Sequence, residues 1–284
     1  MGKIYRNGKT ITPSNSLVKV DNSLLETLLS RKTDSDVLDL SGISIDTVGD
    51  YALYRFYTPS PGFRPKIIKL PRNCIAIGSK ALFNCNGLEQ IIGSENLRQL
   101  GEKVFYQCPQ LKHINLQNVE TIGTECFTGC RALMQVNMPN AKRISGSAFF
   151  NCLNLELLAL PSELEYLYGR AFYGCSKITI KSIPSNIEII YPEVFSGCSA
   201  LTEITFEGDV TQIQSYAFAA TPNILKYAFP ANTTVPTLQT RTWDNINADC
   251  VIYVPDALYD AWIVATNWAT YASKIKKISE MPTE

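Results

Sequence analysis

A single histidine, His113, stands among 284 residues. That scarcity excludes most neutral-pH acid–base catalysis and most zinc sites, which lean on imidazole. No stretch approaches the roughly 20 apolar residues that span a bilayer, and residues 1–20 lack the apolar core of a signal peptide. Neither charge is in excess: 26 basic residues face 26 acidic ones, so no basic footprint for a nucleic-acid backbone or an anionic membrane is present. The phosphate-binding glycine loops, the G-x-S-x-G nucleophile elbow and the Asp-rich calcium loop are all missing. The carboxylates are scattered, and none pairs off as a glycosidase couple. These absences predict a chain that is not an enzyme, needs no cofactor or metal and binds no nucleic acid.

Cysteine is plentiful instead, with nine residues. Six of them, Cys85, Cys108, Cys130, Cys152, Cys175 and Cys198, recur at intervals of 23, 22, 22, 23 and 23, each three positions after a phenylalanine or its stand-in. A repeat of this period means one supersecondary unit stacked on itself, a solenoid. In such a stack successive cysteines lie one strand spacing apart, about 4.8 Å, and point the same way, which suits bridging poorly. They are expected as reduced, buried, small hydrophobes. Cys126 and Cys130 form the one close pair, too little for zinc, and Cys108 near His113 lacks an orienting carboxylate for nucleophilic chemistry.

Aligned on the cysteines, the consensus reads C-x-x-L-x-x-I-x-L-P-x-x-V-x-x-I-G-x-x-A-F-x-x-C, and its apolar positions continue as rows through about nine turns. The phenylalanine row runs Leu53, Leu82, Phe105, Phe127, Phe149, Phe172, Phe195, Phe218 and Trp243. The cysteine row begins at Phe56 and ends in Thr221 and Ile246. Three residues after each cysteine comes a leucine or isoleucine, and three further come Ile91, Ile114, Val136, Leu158 and Ile204. Lys181 breaks that last row, and its neighbours Ile178, Ile180 and Ile183 predict a strand shifted in register there. Within a unit, L-x-x-I-x-L reads as a short front strand, V-x-x-I as a second extended piece, and A-F-x-x-C as about one helical turn. Residues 58–65, rich in proline, read as a loop inserted between turns one and two.

Open ends of a stack need covering. Residues 1–36 are expected as an N-terminal cap, with a short amphipathic helix over 23–30 covering the first turn through Leu24, Leu25, Leu28 and Leu29. The solenoid spans 37–250, and 251–284 form a C-terminal cap of strand, helix around Trp262, and a second helix and strand over 271–278. Trp262, Trp268 and Tyr271 admit an alternative, an aromatic platform for a glycan.

The unit in residues 110–130 resembles the BspA-like leucine-rich repeats of bacterial surface proteins, as does the ending Ile252-Tyr253-Val254-Pro255 with Trp262 and Asn267-Trp268. The resemblance implies an α/β fold: a right-handed solenoid of about nine 22–23-residue turns with short parallel strands, capped at both ends. It further implies a protein-binding adhesin, secreted or at the cell surface, whose partner is a host or bacterial surface protein. The missing export signal leaves a cytoplasmic place open.

If function lies in the stack, it lies on outward positions between the core rows. On the front strands these include Lys112, His113, Asn115, Met134, Gln135, Asn137, Glu156, Leu157, Thr202, Glu203 and Thr205, a mixed face of the kind that binds proteins. On the second strands, Glu120, Lys142, Arg143, Glu165, Glu188 and their neighbours alternate in sign, predicting cross-turn ion pairs. Tyr106, Phe150 and Tyr173 are expected to pack outside the phenylalanine row. The alternatives to a protein-binding module are carbohydrate binding and a structural spacer in a surface or phage assembly.

Overall fold

The computed structural model describes residues 36–54 and 65–282, together with the backbone of two strands, Ile4–Arg6 and Lys9–Ile11, which pair antiparallel. The helix expected over 23–30, Phe56 and most of the 58–65 insertion lie outside the described residues. The rest is a parallel β-solenoid of about nine turns, each with three sides around one core.

The front side carries strands of two to four residues. Val37–Asp39, Ile67–Lys69, Gln90–Ile92, His113–Asn115 and Gln135–Asn137 pair in parallel as one sheet. Ser182–Ile183, Glu203–Phe206, Lys226–Ala228, Val251–Val254 and Ile275–Lys277 form another. Side chains alternate across a strand, so Ile91, Ile114 and Val136 enter the core while their flanking residues stay outside. Turn six, residues 155–175, contributes no front strand.

The second side carries two-residue strands in three sheets of three: turns one to three, four to six, and seven to nine. The third side corrects the sequence expectation. A-F-x-x-C forms no helix but two tight turns, with left-handed residues four apart, such as Lys103 (φ 55°) and Gln107 (φ 55°), or Arg170 (φ 59°) and Gly174 (φ 73°). Left-handed backbone is unfavourable for residues other than glycine. Here it aims successive N–H groups at the next turn: those of Lys103, Phe105 and Gln107 donate to the carbonyls of Thr124, Cys126 and Thr128 at 2.9, 2.8 and 2.7 Å. A helix would spend those donors within its own turn; the stack uses them as a third ladder.

Inside, the phenylalanine row is a column of parallel rings. Phe105, Phe127, Phe149 and Phe172 follow at 5.2, 5.2 and 5.3 Å, tilted by no more than 11°. All nine cysteines are free and buried. Five of the six ladder thiols do more than fill space, because each donates to a carbonyl of the preceding turn: Cys108 to Leu82, Cys130 to Phe105, Cys152 to Phe127, Cys175 to Phe149 and Cys198 to Phe172, at 3.0–3.1 Å. A thiol is small and apolar enough for the core yet supplies one weak donor where the turn leaves a carbonyl lone pair inward.

After the last turn the chain folds back over it. Val251–Val254 leads into short helical pieces, Asp256–Leu258, Tyr259–Trp262 and Trp268–Lys274, and then the strand Ile275–Lys277. Trp262 and Trp268 are fully buried against each other and against Phe229, and the Trp268 indole N–H donates to the Pro236 carbonyl at 2.7 Å.

Candidate interaction face

The front face is built by strand alternation and joined by pairing. Register places Gln135 beside His113 and Asn137 beside Asn115, and the Asn137 amide donates to the Asn115 side-chain oxygen at 2.8 Å. Lys112 reaches back one turn to Glu89 at 2.6 Å, and this bond draws the Glu89 carboxyl below its usual range. Farther along, Glu203 lies between Lys181 at 2.8 Å and Lys226 at 2.5 Å; both lysines lower its pKa. Such exposed pairs contribute little stability. They fix side-chain directions on the face.

The expected site residues fall into two groups. Lys112, His113, Met134, Gln135, Asn137 and Glu156 are exposed and Asn115 half-buried, on adjoining turns; Thr202 is exposed, and Glu203 and Thr205 half-buried, in turn eight. Turn seven separates them. One assignment reverses: Leu157, expected outside, packs partly against the core, while Leu158, placed in a core row, is 78% exposed. The cause is a register slip. Elsewhere the fourth residue after the cysteine bonds its equivalent, as Glu156 N–H does the Met134 carbonyl. Between turns six and seven, Thr179 N–H bonds the Leu157 carbonyl instead, one residue on. A one-residue slip exchanges faces, so Leu157 and Ile180 turn inward and Leu158 and Lys181 outward. The shift expected at Lys181 is there, and it begins one turn earlier.

Two further expectations change. No ion pair joins Glu120, Lys142, Arg143, Glu165 or Glu188 among the described residues. The Arg143 guanidinium instead covers the Tyr166 ring at 4.2 Å and donates to the Tyr168 hydroxyl at 2.7 Å. Burial of Trp262 and Trp268 removes two of the three rings of the glycan platform. The outer aromatics pack as expected: Phe83 stacks on Tyr106 at 4.8 Å and Phe150 on Tyr173 at 4.7 Å.

Sequence reasoning missed Leu158 and the thiol hydrogen bonds. The Leu157-Leu158 pair offers no pattern by which to choose a face, and no residue type distinguishes a donating thiol from a packed one. No group of three His, Cys, Asp or Glu side chains is placed to hold a metal among the described residues. Burial pushes the thiols of Cys108, Cys130, Cys152 and Cys198 well above their ordinary pKa, which leaves them protonated and unreactive.

A family profile described as BspA type leucine rich repeat region matches residues 62–142 and 121–247, in six copies. No curated protein matches the chain. Among solved structures, the leucine-rich-repeat protein of T. pallidum is 19% identical, with a TM-score of 0.53 over 63% of this chain and 82% of its own. A leucine-rich-repeat protein from Bacteroides ovatus is 20% identical, with a TM-score of 0.45 over 82% of this chain and 70% of its own.

Proposed function

Because the chain belongs to the BspA-type leucine-rich-repeat family, we propose that it is a non-enzymatic surface adhesin that docks a host or bacterial surface protein on its front face. The observation that carries this reading is the composition of that face. Ile92 and Met134 are 41% and 36% exposed, and Leu158 stands out more than either, among His113, Gln135, Asn137 and Glu156. Apolar anchors set among hydrogen-bonding groups are what protein interfaces use. Backbone ladders and a packed core support this face, so little side-chain or backbone freedom is lost on docking. The face uses Leu158 in place of Leu157. The surface placement follows from the use of BspA-like repeats in bacterial surface proteins.

The test is adhesion of the fluorescently labelled protein to cultured epithelial cells and to whole bacteria, read by flow cytometry. Met134→Asp with Leu158→Asp should lower retention at least tenfold with the melting temperature nearly unchanged. Retention that survives the double substitution removes the front face from the reading; absence of retention on both surfaces removes adhesion.

A further inference from the structure

The second-side ladder is interrupted at two places, and the two differ. Between turns three and four the backbones stay in contact: a Cβ on Gly123 would lie 2.4 Å from the Gly101 carbonyl oxygen. Between turns six and seven the second strands part, and the backbones meet again just beyond them, where the Arg170 N–H donates to the Pro192 carbonyl at 3.0 Å. At the first break the N–H groups of Glu120, Thr121 and Gly123 and the carbonyls of Arg98 and Leu100 have no hydrogen-bond partner among the described residues. The same holds at the second for the N–H groups of Glu188, Ile189 and Tyr191 and the carbonyls of Glu165 and Leu167, so the two breaks differ in how closely the strands approach. One turn on, the equivalent donors are all used: Thr211 and Gln212 donate to the Glu188 carbonyl at 2.8 and 3.4 Å, and Gln214 to that of Ile190 at 2.9 Å. A cavity of about 530 Å³ opens at the gap, lined by Glu165, Tyr166, Asn186, Glu188, Ile189 and Tyr191 among others.

The gap has a steric origin in the sequence. One row is Gly49, Gly78, Gly101 and Gly123 in the early turns, then Ser145, and then Tyr168 and Tyr191 in turns six and seven. Those two rings pack at 5.2 Å where glycines elsewhere let backbones touch. The parting reaches the core, because Phe172 and Phe195 are 5.9 Å apart where the three preceding pairs are at 5.2–5.3 Å.

We infer that this cleft is a second recognition site, which takes an extended, positively charged peptide segment of a partner protein. The Glu165 and Leu167 carbonyls are two residues apart on one strand, about 6.6 Å, the spacing at which a neighbouring extended chain presents its N–H groups. The opposite lip offers N–H groups to a peptide's carbonyls. Charge selects the side chains. Glu165 and Glu188 hold the same place in successive turns, neither is in an ion pair among the described residues, and no lysine or arginine lines the cavity. Tyr191 adds a ring face to which a lysine or arginine cation is attracted, as the Arg143 guanidinium already is to the Tyr166 ring at 4.2 Å. This site is distinct from the front face and does not rest on the adhesin reading.

The experiment is selection of a phage-displayed random octapeptide library on the full chain, followed by titration of the enriched peptides by fluorescence anisotropy. The expected winners carry lysine or arginine, lose at least tenfold in affinity when their main-chain amides are N-methylated, and lose as much on Glu165→Lys with Glu188→Lys. Met134→Asp with Leu158→Asp should leave that affinity unchanged. No enrichment, or binding indifferent to the cleft variant, overturns the inference. So does a glycan-array signal lost in the same variant, which would assign the cleft to carbohydrate. Amide hydrogen exchange checks the open ladder independently: Glu188, Ile189 and Tyr191 should exchange at least tenfold faster than Thr211, Gln212 and Gln214, and equal protection overturns it.

Discussion

Phe149→Ala probes what holds the stack together. Phe149 is completely buried between Phe127 at 5.2 Å and Phe172 at 5.3 Å, its ring within 2° of parallel to each. Truncating a buried phenylalanine costs about 3–5 kcal/mol. Two ring contacts are lost, each contributing about 0.5–1.5 kcal/mol beyond burial, and backbone ladders on the neighbouring turns resist collapse of the hole. The expected loss is therefore in the upper part of that range, about 4–5 kcal/mol. Each turn touches only its neighbours, so the damage should stay local to turns four to six. Trp243, Trp262 and Trp268 are the chain's three tryptophans and lie at its C-terminal end. Their fluorescence reports the last turns, and far-ultraviolet circular dichroism reports the whole stack. In urea, the dichroism transition should move to lower denaturant and precede the fluorescence transition. A loss below about 2 kcal/mol, the size of an ordinary substitution, would refute the ring column as the main support of the core.

Gly123→Ala should destabilise by about 2 kcal/mol or more, because the new methyl meets the Gly101 carbonyl oxygen at 2.4 Å. Gly146→Ala, whose nearest neighbour would be 3.5 Å away, should be neutral or slightly stabilising by thermal melting. The nine thiols should resist iodoacetamide at pH 8 until urea unfolds the chain; rapid labelling of the native protein would contradict their burial. Glu203 has a pKa lowered by Lys181 and Lys226 from its ordinary 4.5. Its stabilising contribution is complete above that value and is lost as pH falls through the lower folded one. Solvent screening keeps it near 0.5 kcal/mol, so Glu203→Gln should slightly flatten the acid limb of stability against pH, with no effect at pH 7 beyond that amount. Trp268→Phe removes the donor to the Pro236 carbonyl in a buried cluster and should cost about 1–3 kcal/mol, read from urea unfolding.

The rows of apolar residues were legible because every turn repeats the same burial problem. Phe105 through Phe218 and Cys85 through Cys198 each meet their own kind one turn away, so a periodic pattern carries the three-dimensional neighbour list. The third side was misread because A-F-x-x-C has helical spacing. The deciding factor was where its N–H groups go, and they go to the next turn. The cross-turn ion pairs failed for a related reason: Arg143 had two tyrosines within reach, and a planar guanidinium stacks on rings as readily as it pairs with a flexible exposed carboxylate.

From sequence alone came the solenoid, its turn count, its parallel strands and the burial of its thiols, all consequences of a period that stacking enforces. Tertiary structure decided the rest. Leu157 and Leu158 are chemically identical, and a strand's two faces exchange with a single residue of slip, so the neighbouring turn's hydrogen bonds chose which leucine faces outward. The cleft between turns six and seven was likewise settled between turns. Tyr168 and Tyr191 are visible in the sequence, but that two rings at 5.2 Å hold a ladder open depends on the distance between them.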